Sequence, residues 1–207
     1  MINSELIQIA NNLFCIKSIE MDNNTYLLVK NGQCIIIDPS FNFESIDHFL
    51  TKKNLKLVGI ILTHCHYDHS WAVSALEKKY ACPIYAHEFD KSTYLKYDCS
   101  QWIQKSVPKI KKINWIHEVD LTISDFNLQI VLTPGHTSGS ICVNYNNYLF
   151  IGDTLFTNGI GRFDFPNSSF HDLKKSLDFI YKKYPPKTLI LPGHGDWNNL
   201  KFIRKVL

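Results

Sequence analysis

The run Leu57-Val58-Gly59-Ile60-Ile61-Leu62, leading straight into Thr63-His64-Cys65-His66-Tyr67-Asp68-His69, constrains this chain more than any other stretch. The apolar run is short, rich in β-branched residues and unbroken, which predicts a strand buried on both faces. Side chains alternate along a strand. An extended backbone through His66 therefore puts His64 and His66 on one side and Cys65 on the other. Asp68 and His69 come after the chain begins to turn, so they face a second point nearby. Burying such groups without partners is costly. The cluster therefore predicts metal ligands rather than a polar loop with coincidental histidines. One segment then serves two adjacent ions, with Cys65 outside both ligand sets.

Three further candidates, His136, Asp153 and His194, each stand next to a glycine just past a predicted buried strand (126–132, 148–151 and 187–191). Glycine lets the backbone bend sharply and approach an ion closely. If the strand ends converge, one ion takes His64, His66 and His136, the other takes Asp68, His69 and His194, and Asp153 bridges. A position left open on each ion marks a catalytic rather than a structural site. Five imidazoles and two carboxylates suit two divalent ions, zinc best, with iron or manganese also fitting. Such a pair lowers the pKa of a shared water towards ~7, making hydroxide the nucleophile at neutral pH. Asp68 can orient or deprotonate that water as well as bind metal. Asp38, at the end of strand 33–37, is expected to support the site without being a ligand, and His87 is expected to be a non-ligand.

The surrounding pattern predicts strands over 13–19, 25–30 and 33–37, with Asn31-Gly32 as a tight turn. Helices are predicted over 42–53 and over 70–80, the second capped by Ser70. A short strand over 81–86 follows. Two hairpins are predicted, 117–123 with 126–132 and 141–145 with 148–151, then a helix over 169–183. A short amphipathic helix is expected over 198–207. Strand clusters separated by helices occur twice. Each half has a strand ending in Asp (Asp38, Asp153) and a later strand ending in His (His64, His194). The expectation is one α/β (α+β) domain over residues 1–207, two packed sheets with helices outside. Lys105, Lys109, Lys111 and Lys112 cluster near Trp102 and Trp115, either as a solvated face or as a rim attracting an anionic substrate.

A net charge of +3 is too small to imply nucleic acid as a partner. No apolar run approaches the ~20 residues of a membrane helix. The N-terminus lacks a basic stretch followed by an apolar core, so a cytoplasmic location is expected. The six cysteines, at 15, 34, 65, 82, 99 and 142, form no CxxC and are expected to be reduced. The expected partner is a small-molecule substrate.

The order His64-x-His66-x-Asp68-His69, then His136, Asp153 and His194, resembles the metallo-β-lactamase-fold hydrolases across residues 25–195. The resemblance implies a four-layer αββα sandwich with the metal site at one edge of the two sheets. The segment Gly159-Ile160-Gly161-Arg162-Phe163-Asp164-Phe165-Pro166 is similar to the short glyoxalase II-like (hydroxyacylglutathione hydrolase-like) branch. That implies a thioester hydrolase in which a metal-bridging hydroxide attacks the carbonyl of a substrate such as a hydroxyacyl-glutathione, and a thiolate leaves. Arg162 and Phe163 are the candidate substrate contacts, and an Arg162–Asp164 pair can hold the loop over the site. Full-length members add a helical glutathione-binding domain after the last histidine. Here only residues 195–207 follow His194, so a more open, less selective site is expected. The same ligands also suit a mononuclear iron dioxygenase acting on persulfides, a lactonase or a phosphodiesterase. A true β-lactamase is disfavoured by Asp153 in the bridging place and by the lack of an export leader.

Overall fold

Alternate residues of each central strand enter different cores, which is why the apolar runs are unbroken. The computed structural model describes residues 4–96, 107–117 and 119–203. Within them β1 (Ser4–Ala10), β2 (Leu13–Ser18), β3 (Asn24–Lys30), β4 (Gln33–Ile37), β5 (Lys56–Ile61), β6 (Ile84–His87) and β7 (Asn114–Ile116) form one sheet in that order. The second sheet contains β8 (Val119–Ile123), β9 (Phe126–Leu132), β10 (Ile141–Tyr145) and β11 (Tyr148–Gly152). A small ribbon, β12 (Leu155–Phe156) with β13 (Gly159–Ile160), precedes its last members, β14 (Leu189–Pro192) and β15 (Asn198–Asn199), and the order is β15-β14-β11-β10-β9-β8. The helices are α1 (Phe43–Lys52), α2 (Tyr67–Ser70), α3 (Val73–Tyr80), α4 (Lys91–Lys96) and α5 (Phe170–Lys183).

Leu13, Cys15, Ile35 and Ile37 point between the sheets, against Phe126, Ile130, Val143 and Phe150. Their neighbours Phe14, Ile16, Cys34 and Ile36 point outwards, under Ile46, Phe49 and Leu50 of α1 and Val73 and Leu76 of α3. On the far side Leu149, Ile151 and Ile190 meet Leu173, Leu177 and Ile180 of α5. The result is the αββα sandwich. Each fully buried aliphatic side chain contributes about 1.5–3 kcal/mol, so both faces of these strands stabilise the fold. Cys15, Cys34, Cys65, Cys82 and Cys142 are free and buried within it.

Two parallel pairs position the site. β4 pairs β5 with α1 lying between them in sequence, and β11 pairs β14 with α5 between them. Asp38 and Asp153 follow the first strand of each pair, and His64 and His194 follow the second. The two predicted halves are therefore visible as two crossover units, one in each sheet.

Three local expectations are corrected or bounded. Ser70 does not cap the helix over 70–80; it ends α2, its hydroxyl donates to the His66 carbonyl at 3.1 Å, and α3 starts at Val73. The extra four-residue turn is what aims Asp68 and His69. The helix expected over 198–207 is instead β15 followed by a 3-10 turn, Leu200–Phe202. The N–H groups of Leu200 and Lys201 are taken by the carbonyls of Thr188 and Pro186, both at 2.9 Å, rather than by a helical ladder. Residues 204–207 lie outside the described residues. So do Trp102 and Lys105 of the basic cluster, while Lys109, Lys111 and Lys112 are exposed, as a solvated face would be.

Candidate metal centre

All seven predicted side chains meet at the mouth between the sheets. His64, His66 and His136 form one group and Asp68, His69 and His194 a second, the potential ligand atoms of each lying within 4.8 Å of one another. In the first group His66 Nδ1 is 3.0 Å from His136 Nε2. In the second, His69 Nε2 and His194 Nε2 are 3.3 Å apart, and Asp68 Oδ2 lies 3.4 Å from the former and 3.3 Å from the latter. Asp153 stands between the groups. Its Oδ1 is 3.4 Å from His69 Nε2, and its Oδ2 is 3.6 Å from His136 Nε2 and 3.4 Å from His194 Nε2.

Two glycines explain how the backbone reaches this place. Gly152 has φ +51°, and a Cβ there would run into the Thr63 side chain beneath His64. A Cβ at Gly193 would overlap the Asp153 carboxylate and come within 2.6 Å of the His69 ring. Any larger residue at 193 would displace side chains of the centre.

Four of the five imidazoles are anchored at Nδ1, which directs Nε2 inwards. His136 Nδ1 donates to the Arg162 carbonyl at 2.8 Å, and His194 Nδ1 to the Met21 carbonyl at 2.9 Å. His69 Nδ1 donates to Asp38 Oδ2 at 3.2 Å. The Thr63 hydroxyl donates to Asp38 Oδ2 at 2.6 Å, leaving its oxygen to accept from His64 Nδ1 at 3.2 Å. Such outer partners fix the tautomer and aim the ring. His66 is the exception and turns Nδ1 inwards. Asp38 also lies within ligand distance of His64 and His69. Both its oxygens are already committed, Oδ1 to the Thr63 N–H at 2.7 Å and Oδ2 to Thr63 and His69. It is a support, as its place at a strand end suggested. Asp38→Ala should weaken metal binding by roughly 10–100-fold and also cost stability on the order of a few kcal/mol, because it strands the buried Thr63 and His69 donors, measurable by chelator competition alongside a thermal melt.

The two groups differ in charge. Burial, followed by the neighbouring His69, His66 and His136, pushes His64 well below the usual imidazole range. Burial and then His136 push His66 down to about 4. Both rings are neutral near pH 7 and offer lone pairs. In the second group burial opposes charge at every member but loses to the ion pairs. Asp68 and Asp153 are held low by His69 and His194. His69 is raised well above its usual value by Asp68 and Asp153, and His194 is raised to about 10 by the same carboxylates. A field that holds two protons here also holds a dication.

The donor set fits divalent ions on a direct observation. His64 Nε2 is buried and has no protein partner among the described residues. A buried lone pair left unsatisfied is costly, and a cation between His64, His66 and His136 would satisfy it. His87, expected to be a non-ligand, stands outside these groups and its Nδ1 accepts from the Phe89 N–H at 3.3 Å.

Arg162 and Phe163 are placed on the loop over the centre, but their side chains lie outward. Arg162 makes a two-pronged pair with Asp164, both contacts at 2.9 Å, and is exposed. It is the Arg162 carbonyl that reaches the site. Phe163 packs on Phe170, ring centroids 4.8 Å apart. Phe165, which the sequence did not single out, lies against His66 at 5.3 Å and His136 at 5.7 Å and stacks under the Arg162 guanidinium. The Met21 and Arg162 carbonyls were also missed, since a backbone group carries no side-chain signature.

Comparison with known proteins agrees with this geometry. The protein aligns with the probable metallo-hydrolase YqgX of Bacillus subtilis at 32% identity, covering 83% of this chain and 84% of that one. It aligns with the hydroxyacylglutathione hydrolase of Buchnera aphidicola subsp. Schizaphis graminum at 34% identity, covering 91% and 69%. The crystal structure of TTHA1623 in a di-iron-bound form superposes with a TM-score of 0.83 at 27% identity, covering 91% of this chain and 96% of that one. The family profile described as "Metallo-beta-lactamase superfamily" matches residues 19–194. With the αββα layers, the paired His/Asp groups and this match in hand, the chain belongs to the metallo-beta-lactamase superfamily.

Proposed function

We propose that this metallo-hydrolase cleaves a thioester of a small molecule, with His64, His66 and His136 holding one divalent ion, Asp68, His69 and His194 a second, and Asp153 both. The observation that carries the reading is Asp153, whose carboxylate lies between the groups, Oδ1 against His69 of the second and Oδ2 against both His136 of the first and His194 of the second. When bound, the ion pair supplies a water acidic enough to be a nucleophile at neutral pH and an electrophile for a carbonyl oxygen. The chain supplies the rest. Asp68, held ionised beside His69 and His194, can orient an attacking water by accepting its hydrogen bond. Phe165 covers the ring edges of His66 and His136 and keeps bulk water from that side. A thiolate is a weakly basic leaving group, so no dedicated acid is required on the leaving side.

The similarity to a hydroxyacylglutathione hydrolase supports a thioester as the substrate class. The nitrogen-rich donor set favours zinc, and the di-iron-bound relative keeps iron as the second choice. Among the described residues no helix is long and apolar enough to cross a membrane. The test is a panel of S-lactoylglutathione, a simple acyl thioester, a lactone, a phosphodiester and glutathione persulfide, run with the metal content measured. Thioester turnover exceeding the others by at least tenfold is expected. Oxygen uptake with the persulfide and one iron per chain would replace the hydrolase reading with an oxidative one.

A further inference from the structure

The β2–β3 turn grips the loop that carries His194. The Asn24 N–H donates to the Gly193 carbonyl at 2.8 Å, and the Asn24 amide reaches the carbonyls of Pro192 at 3.0 Å and Gly195 at 2.8 Å. Asn23 forms an isolated antiparallel bridge with His194 itself. Its own carbonyl is held by the Ser18 N–H at 2.9 Å. The Asn23 side chain is 1% exposed and is therefore fixed in place. Its Nδ2 donates to Asp68 Oδ2 at 3.1 Å and lies 3.4 Å from His194 Nε2. Those are two of the three inward-facing atoms of the second group, and they follow strands of different sheets, β5 and β14. Asn23 Oδ1 is buried with no protein partner among the described residues. An amide that leaves one polar atom unsatisfied in the interior is costly to keep. An apolar residue of the same size would avoid that cost, so the retained feature is the N–H facing Asp68.

We propose that Asn23 is a positioning residue for the second ion: its amide N–H fixes the Asp68 carboxylate against His194 and so sets the affinity of the Asp68, His69 and His194 group, leaving the first group untouched. The inference rests on the dinuclear reading above. A carboxylate oxygen has two lone pairs, so Oδ2 can accept from Asn23 and still face a cation. Outer partners of this kind set metal affinity by factors of about 10–100.

The experiment titrates the metal-free full chain with Zn2+ against a chromophoric chelator, and in parallel with Co2+ followed by its visible absorption. The variants are Asn23→Leu, which keeps the branched shape without the polar atoms, and Asn23→Ala. The unaltered protein should take up two ions. In both variants one ion should bind with unchanged affinity and the other about tenfold or more weakly, and only the Co2+ bands of the weaker ion should shift. Two ions bound with unaltered affinities in both variants would overturn the role of Asn23 while leaving the dinuclear reading intact. Equal weakening of both ions, or loss of both, would overturn it as well, since a general loss of structure moves both groups together. Fewer than two ions in the unaltered protein would overturn the dinuclear reading and this inference with it.

Discussion

Asp153→Asn should lower turnover on the order of 1,000-fold, the scale of losing a preorganised electrostatic group at a reacting centre, while leaving the fold intact. Aspartate and asparagine have nearly the same shape, so the close approach of Gly193 is still met. What changes is charge. Asp153 is the group whose oxygens face both His69 and His136, and its carboxylate, with Asp68, is what makes this end of the site favour positive charge. Without that anion, two dications brought together lack their shared counter-charge. The readouts are kcat with the best thioester, metal content, and the circular dichroism spectrum as the control for folding. His66→Ala should behave similarly, because it removes one of the first group's three nitrogens and the ring against Phe165. Wild-type turnover in either variant would remove the metal mechanism.

The second large effect is metal removal. Dialysis against a strong chelator should abolish turnover, and zinc or manganese should restore it. The charge difference between the groups adds a pH signature. His64 and His66 are neutral without metal, so an ion entering the first group displaces no protons from them. The carboxylates around His69 and His194 raise the affinity of these rings for protons, so an ion entering the second group competes with protons. Because protons compete for those nitrogens, the second ion should bind more tightly as pH rises through neutrality and be lost first on acidification. Calorimetric titration in buffers of different ionisation enthalpy counts the protons released. Activity that persists after metal loss has been confirmed would count against the account.

Much of this was legible in the chain because the signals are local and periodic. His64 and His66 share one group and Cys65 points away from them into the outer core, as expected, although β5 ends at Ile61 and the chain bends at Thr63 and His64 instead of staying extended through His66. The glycines beside His136, Asp153 and His194 mark backbone turns, and Gly152 and Gly193 show why no Cβ fits there. What was not legible depends on long-range partners. The Asp38–Thr63–His64 relay joins two strand ends that only the fold brings together. The carbonyls of Met21 and Arg162 orient His194 and His136, yet any residue type could supply a carbonyl. Phe165 looked like one apolar residue among several, and only the path of the loop decides that it, rather than Phe163, lies on the ligand rings. At the C-terminal end, amphipathic spacing predicted a helix, but pairing with the 186–188 segment took the backbone donors instead.

The most direct test of the central claim is an anomalous-scattering map from crystals of the protein as purified, collected on either side of the absorption edge of the metal found by elemental analysis. Two peaks about 3.5–4 Å apart, one among His64, His66 and His136 and the other among Asp68, His69 and His194, with Asp153 between them, is the predicted result. No peak at this mouth in protein that carries metal, or ions bound by other residues, would contradict it.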